Sequence, residues 1–151
     1  MMIEWSDNKF IAQSIMTSAS VWPHISDDTC DKDTFILPEI DGKIFRLALC
    51  YHKGKLYGCF YFIEKDEKTT EIHTCMVATG KTKEFGDQIV KKVFSEASYE
   101  KIETFIPVDN PSARKLAQRC GFVFVGMKKP IIKAGIETPV EAWELRKCQR
   151  Q

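Results

Sequence analysis

The sequence predicts an α/β (α+β) fold, with a mixed, mostly antiparallel sheet, one parallel junction and helices that flank the sheet. Two observations predict it. Strand-like runs separated by short turns indicate an antiparallel meander at residues 44–51, 56–64 and 70–78. A helix then joins the third strand to a fourth at residues 101–108, and a strand–helix–strand connection of this kind makes a parallel pair.

Apolar residues at helical spacing predict the helices, which we expect at residues 8–20, 87–97 and 111–119. Asp7 is the expected cap of the first helix, and residues 22–33 form either an irregular stretch or a second short helix. The second helix carries an apolar stripe that begins at Ile89, and the third ends before Gly121. Two final strands are expected at residues 122–130 and 141–147, joined by a turn-rich loop at 134–139.

Length and composition indicate one soluble domain that spans residues 1–151. The formal net charge is +1, from 22 basic and 21 acidic residues, so neither a nucleic acid nor a membrane surface is an expected partner. None of the six cysteines forms a CxxC pair, and no metal site is expected. The amino-terminal end lacks the pattern of a signal peptide, which predicts a cytoplasmic protein with reduced thiols.

The segment at residues 110–122, NPSARKLAQRCGF, places an amide side chain at the end of a strand with a helix directly behind it. Asn110 followed by Pro111 is a typical helix start, so a capping role accounts for the pair. An Asn at the mouth of a parallel junction is also placed to contact a ligand. The two roles are compatible with each other.

The segment at residues 80–86, GKTKEFG, lies between a strand and the start of a helix. Unpaired N–H groups and the helix dipole favour an anion at such a place, and two lysines add positive charge. The sequence therefore allows a diphosphate site here. The alternative is an ordinary connecting loop with solvated lysines.

Together these two segments resemble the GCN5-related N-acetyltransferase superfamily, over roughly residues 44–147. In the second segment the pattern Asn-x-x-Ala-x-x-Leu followed by Gly-Phe is matched without a gap, by Asn110, Ala113, Leu116, Gly121 and Phe122. In the first segment Lys81 stands where the family has Arg or Gln, and Gly86 matches its last small residue. The chain is similar to divergent members that tailed phages encode.

The resemblance implies a splayed parallel junction, in which the strand that ends near residues 76–78 separates from the strand that ends near Val108. It also implies acetyl-CoA as the cosubstrate and an amine, on a small molecule or a protein, as the acceptor. The diphosphate would bind the segment formed by Lys81, Thr82, Lys83, Glu84, Phe85 and Gly86. The pantetheine arm would bind the backbone at Met76, Val77 and Ala78 and the side chain of Asn110. Assembly into an oligomer is compatible with the sequence.

Two residues depart from the family pattern. Glu84 replaces a glycine and puts a carboxylate beside the expected diphosphate. Ala117 stands where the family often has a tyrosine that protonates the leaving thiolate. Both departures favour an alternative, a non-catalytic protein of this fold that binds a protein partner or serves as a phage virion or host-interaction component.

Glu71 and His73 are the candidate catalytic bases, because the alternation along a strand puts them on one face with Cys75. The alternative for Glu71 is a surface charge at the end of the strand, and the alternative for His73 is a hydrogen-bonded residue within the sheet. Cys120 is expected to be a packing residue rather than a nucleophile. Trp22 and His24 either line an acceptor site or lie on a surface loop.

Overall fold

The computed structural model describes residues 1–149 and has one seven-stranded sheet with helices on both faces. The elements follow in the order β1 (Met2–Ser6), α1 (Lys9–Met16), α2 (Trp22–Ile25), β2 (Phe45–His52), β3 (Lys55–Asp66), β4 (Thr69–Met76), α3 (Thr82–Glu96), β5 (Lys101–Pro107), α4 (Pro111–Arg119), β6 (Val123–Lys133), β7 (Ile136–Arg146) and a 3₁₀ turn (Lys147–Gln149). No helix in this described part of the chain is long and apolar enough to cross a membrane.

The strand order in the sheet is β1-β2-β3-β4-β5-β7-β6. All neighbours are antiparallel except β4 and β5, which confirms the predicted sheet with one parallel junction. The parallel pairing lasts only from Thr69 opposite Lys101 to Glu71 opposite Glu103. Beyond it, the Thr104 hydroxyl donates to the Ile72 carbonyl at 3.0 Å, and the two strands then separate. The sheet therefore opens at the carboxyl ends of β4 and β5.

Two hydrophobic clusters cover the faces of the sheet. On one face, α3 and α4 pack against the sheet with Phe85, Ile89 and Phe60 at the centre. On the other face, α1 packs with Ile15 and Cys75. The faces of β4 alternate between these clusters, so its side chains reach both sides of the opening.

The start of the chain differs from the prediction. Residues 2–6 form a strand that pairs with β2, which sequence reasoning missed because the segment is short and interrupted by charge. Asn8 rather than Asp7 caps α1, since its side-chain oxygen accepts from the N–H groups of Phe10 and Ile11 at 3.1 and 3.2 Å. The helix ends at Met16 instead of continuing to residue 20.

The last two strands are longer than predicted. The expected loop at 134–139 is a tight turn at Ala134 and Gly135, with φ of +50° and +75°. Both residues are left-handed, which is typical of a hairpin turn that matches strand twist. Pro130 lies inside β6 because this strand is at the edge of the sheet and its register shifts between Lys128 and Ile131.

The helix predicted at residues 87–97 begins at Thr82, so most of the expected loop at 80–86 is helical. Phe85 is fully buried and one turn before Ile89, which extends the apolar stripe backwards. Gly86 does not break the helix because α4 packs against it: a Cβ at this position would lie 2.8 Å from Cys120 Sγ. The glycine is there for the close approach of two helices.

Candidate functional site

A cleft of about 430 Å³ fills the opening between β4 and β5. It passes through the sheet, with residues of α3 and α4 at one end and residues of α2 at the other. A cavity of this size is in the range of small-molecule sites, and it lies at the place where a parallel junction favours ligands. The side chains and backbone groups that reach it define the candidate site.

The backbone of β4 offers unpaired peptide groups to the cleft. Val77 and Ala78 both donate their N–H groups to the Tyr57 carbonyl, at 2.9 and 3.1 Å, which places these groups on the side of β3. Because bonding directions alternate along an antiparallel ladder, the peptide groups of Thr74 and Met76 point the other way, toward the cleft. Of the three residues 76–78 that the sequence suggested, only Met76 lines the cleft in the described chain.

Gly58 lies opposite Met76 in the ladder between β3 and β4, and its lack of a side chain allows the end of β4 to pack against β3. Its φ is +151°, and a Cβ there would overlap the Cys75 carbonyl oxygen and lie 2.7 Å from Met76 Cα. Only a glycine lets β3 and β4 approach this closely. The end of β4 therefore depends on a residue outside the cleft.

The amino terminus of α3 forms the floor of one end of the cleft, where Thr82, Lys83 and Gly86 line it. Lys81 is the N-cap, and its side chain makes no capping hydrogen bond within the described residues. The N–H groups at Thr82, Lys83 and Glu84 precede the first intrahelical bond. That bond runs from the Phe85 N–H to the Lys81 carbonyl at 3.0 Å.

This geometry corrects the expected diphosphate loop. Phe85 is 0% exposed and its N–H is bonded within the helix, so neither its side chain nor its amide reaches an anion in the cleft. The segment presents a helix terminus instead of a wrapping loop. The anion-binding capacity lies in the N–H groups of residues 82–84.

The charges at this terminus are distributed unevenly. Glu84 is exposed and is not among the lining residues, because it lies on the far side of the first turn from Thr82 and Gly86. Its carboxylate therefore does not occupy the place where the sequence suggested repulsion. Lys83 forms an ion pair with Asp87 at 2.5 Å, so part of its charge is already compensated.

Asn110 caps α4 and lines the cleft at the same time. Its side-chain oxygen accepts from the Ala113 N–H at 3.2 Å. The cap uses the oxygen and leaves the amide NH₂ as a donor. The same side chain can therefore hold the helix and donate to a ligand.

Farther along α4, Ala117 and Cys120 line the cleft and are nearly buried, at 6% and 5% exposed. Ala117 is the residue that the family resemblance put in the place of a proton-donating tyrosine. A methyl group cannot supply a proton.

The structure separates the two candidate bases. His73 is part of the cleft wall, whereas Glu71 lies behind it and its side chain is 8% exposed. The Glu71 carboxylate pairs with His73 Nε2 and, at 3.1 Å, with Lys65 Nζ. Burial raises the pKa of the Glu71 carboxyl, but the hydrogen bonds and charges of His73 and Lys65 outweigh burial and lower that pKa overall. Glu71 is thus held as a carboxylate that orients the His73 ring.

The Tyr61 ring packs at a tilt against the His73 ring, with 5.6 Å between the ring centroids. Burial, with a contribution from the Glu71 charge, raises the pKa of Tyr61 to about 12. The phenol therefore stays protonated near neutral pH. No cluster of three or more His, Cys, Asp or Glu residues suited to a metal occurs in residues 1–149.

The far end of the cleft is formed by α2 and the carboxyl end of β5. His24 lines it, as one alternative from the sequence suggested, while Trp22 instead packs edge-on against Phe35 at 5.2 Å. Sequence reasoning missed the apolar walls, which are Val21, Ile25, Phe105 and Pro107. No local pattern marks them, because they meet only when α2 folds over the end of β5.

Solved N-acetyltransferases are similar to this chain. The spermidine N-acetyltransferase from Vibrio cholerae, in complex with CoA and spermine, gives a TM-score of 0.72 at 18% identity, and the match covers 97% of this chain and 96% of that one. The Campylobacter jejuni N-acetyltransferase PseH, in complex with acetyl coenzyme A, gives a TM-score of 0.59 at 16% identity over 70% of each chain. No protein-family model and no curated protein matches the sequence.

Proposed function

Because the chain has the fold of the GCN5-related N-acetyltransferases, we propose that it binds acetyl-CoA in the cleft between β4 and β5 and transfers the acetyl group to an amine. The cleft itself carries this proposal. It combines a helix terminus for an anion, unpaired peptide groups along one wall and a histidine at the far end. When bound, acetyl-CoA supplies an activated carbonyl and a thiolate that can leave.

The diphosphate is assigned to the amino terminus of α3. The N–H groups of Thr82, Lys83 and Glu84 are directed at the cleft end, and the helix dipole favours negative charge there. The Lys81 ammonium adds to this field as the N-cap residue. Phe85 contributes only packing.

The pantetheine arm is assigned to the gap that an additional strand would fill. Its amides can pair with the outward-facing peptide groups of Thr74 and Met76, as a peptide does at a free strand edge. The Asn110 NH₂ can donate to a carbonyl of the arm while the Asn110 oxygen keeps its bond to Ala113. This arrangement puts the thioester near the middle of the sheet.

The reaction needs a base for the amine and a donor for the oxyanion. His73 accepts the amine proton, and the Glu71 carboxylate holds the ring and stabilises the imidazolium that forms. A backbone N–H near Met76 that the arm leaves unpaired is the candidate donor to the carbonyl oxygen as negative charge develops on it. Because the methyl group of Ala117 has no proton to give, the CoA thiolate leaves as an anion and takes its proton from solvent.

Ala117 also supports a second candidate function, in which the protein keeps the fold and binds a partner without catalysis. A transferase and a binding protein differ in one observable. The transferase releases free thiol from acetyl-CoA when an amine is added, and the binding protein does not.

The binding site is tested by two variants of one residue, measured by titration calorimetry with acetyl-CoA. Asn110→Asp keeps an oxygen that caps α4 but removes the donor, so we expect normal stability and about tenfold weaker binding. Asn110→Ala removes both functions and should also lower the free energy of unfolding by about 1 kcal/mol. Equal affinity in wild type and Asn110→Asp would remove Asn110 from the site.

The base is tested by following thiol release as a function of pH. His73→Gln retains a polar side chain without a titrating ring and should lower kcat by about a hundredfold or more. Its acetyl-CoA affinity should be unchanged, because His73 lies at the far end of the cleft. A variant that keeps the wild-type pH profile would show that His73 is not the base.

A further inference from the structure

The acceptor end of the cleft is built from apolar groups and histidines. Its walls are apolar and consist of Val21, Ile25, Phe105 and Pro107. The imidazole rings of His24 and His73 also line it. Val21 is almost fully buried at 4% exposed, while Ile25 is 38% exposed at the mouth. A substrate at this end would therefore contact mainly hydrocarbon side chains and few polar groups.

None of the lining residues in the described part of the chain is an aspartate or a glutamate. The charged residues that line the cleft are cationic, namely Lys83, Lys115 and Arg119. A second ammonium group on an acceptor would therefore meet no opposite charge inside the cleft.

The carboxylates of the surrounding elements are already engaged. Glu71 is held by His73 and Lys65, and Asp109 pairs with Lys133 at 3.1 Å. Asp28, after α2, accepts the N–H groups of Ala134 and Gly135 at 2.7 and 2.8 Å and so ties this segment to the β6–β7 turn. Their negative charge is therefore already directed at partners within the fold.

From this lining we infer that the acceptor is a small monoamine with an apolar body, and that polyamines are poor substrates; this inference rests on the proposed function. An uncompensated ammonium in a partly closed site is costly, whereas a hydrocarbon gains by leaving water. The pantetheine arm shares the 430 Å³ of the cleft, which leaves room for a small acceptor only. The preference therefore differs from that of the spermidine acetyltransferase that shares the fold.

The test compares two amines that differ by one charge. Hexylamine and hexamethylenediamine have the same carbon chain, and spermidine serves as a third substrate. We expect kcat/KM for hexylamine to exceed that of both polycations by about tenfold or more. A preference for hexamethylenediamine or spermidine overturns the inference.

A carboxylate added to the mouth should reverse the selectivity in part. Ile25→Asp should improve hexamethylenediamine relative to hexylamine by about two- to fivefold, as expected for an exposed ion pair. Ile25→Asn, whose side chain has the shape of aspartate without the charge, is the control and should leave the ratio of the two amines unchanged. Ile36→Asp adds the same charge at a residue that is 79% exposed and does not line the cleft, and it should leave the ratio unchanged.

The test also separates the two levels of the proposal. Acetyl-CoA binding is measured first by calorimetry, and its absence refutes the proposed function. Amine binding is then measured by calorimetry with CoA present, so that the selectivity can be read without turnover. If acetyl-CoA binds but hexylamine does not bind more tightly than hexamethylenediamine, the inference about the acceptor fails and the cosubstrate assignment stands.

Discussion

The contact between α3 and α4 at Gly86 allows a substitution to be worked out in both sign and size. In an exposed helix, Gly→Ala stabilises by about 0.5–1 kcal/mol, because alanine loses less backbone entropy. Here the new Cβ would lie 2.8 Å from Cys120 Sγ and 3.7 Å from Leu116 Cδ1. The second distance is an ordinary contact, so the first alone decides the outcome.

Relieving the contact requires a displacement of the helices or of the thiol, because carbon and sulfur normally stay more than about 3.5 Å apart. Overpacking of this kind costs about 1–3 kcal/mol. After the gain in helix propensity is subtracted, we expect Gly86→Ala to lower the free energy of unfolding by about 1 kcal/mol. The midpoint of thermal unfolding should fall by about 2–4 °C.

A double-mutant cycle isolates the contact. Cys120→Ala removes the sulfur, so in that background Gly86→Ala should become stabilising by about 0.5–1 kcal/mol. Urea denaturation of the four proteins gives the coupling energy directly. Both residues line the cleft, so acetyl-CoA affinity should fall in Gly86→Ala and recover in the double variant.

The reasoning is wrong if Gly86→Ala stabilises the protein that retains Cys120, or if the two substitutions are additive. Either result would mean that α3 and α4 are farther apart than described. The cycle then offers a check on the floor of the cleft that does not depend on any ligand.

Three further predictions use the same urea assay. Gly58→Ala should lower the free energy of unfolding by about 3 kcal/mol or more, because the new Cβ overlaps backbone atoms and φ is +151°. Gly42→Ala should cost only about 1 kcal/mol, because φ is +74° but the space around Gly42 is open. Similar costs for the two variants would refute the overlap at Gly58. Asn8→Ala should cost about 1 kcal/mol and Asp7→Ala little, and the reverse order would restore Asp7 as the cap. Glu71→Gln should lower stability near neutral pH. The folded-state pKa of Glu71 is depressed, so the stability it contributes is present above the ordinary value of 4.5 and is lost as the pH falls through the folded pKa. The difference from wild type should therefore shrink on acidification, and a constant difference would contradict this.

The site was only partly predictable from the sequence. Asn110 could be identified because its cap, the following proline and the end of a strand are all local features. The sequence predicted a loop at residues 80–86 and a helix that starts at residue 87, whereas the helix starts at Thr82. The buried Phe85 and the packed Gly86 belong to a helix whose first turn is stabilised by contact with α4 and the sheet.

The two candidate bases, Glu71 and His73, show the same division. The alternation along β4 predicted that Glu71 and His73 share a face, and they are in contact. Which of them reaches the cleft depends on where β4 leaves β5, because Glu71 is still paired with Glu103 while His73 lies beyond the last pair. A one-dimensional pattern contains no information on where two strands separate.

The sequence by itself determined the order of elements from β2 to β7, the mostly antiparallel sheet with its parallel junction, and the bounds of α4. Periodicity, capping and turn residues encode these locally. Tertiary structure alone decided which N–H groups at α3 remain unpaired, that Glu84 points away from the cleft wall, and that α2 and β5 form an apolar end of the cleft. Those features arise from contacts between residues far apart in the chain, such as Asp28 with Gly135. Burial and charge at the site are set by that packing.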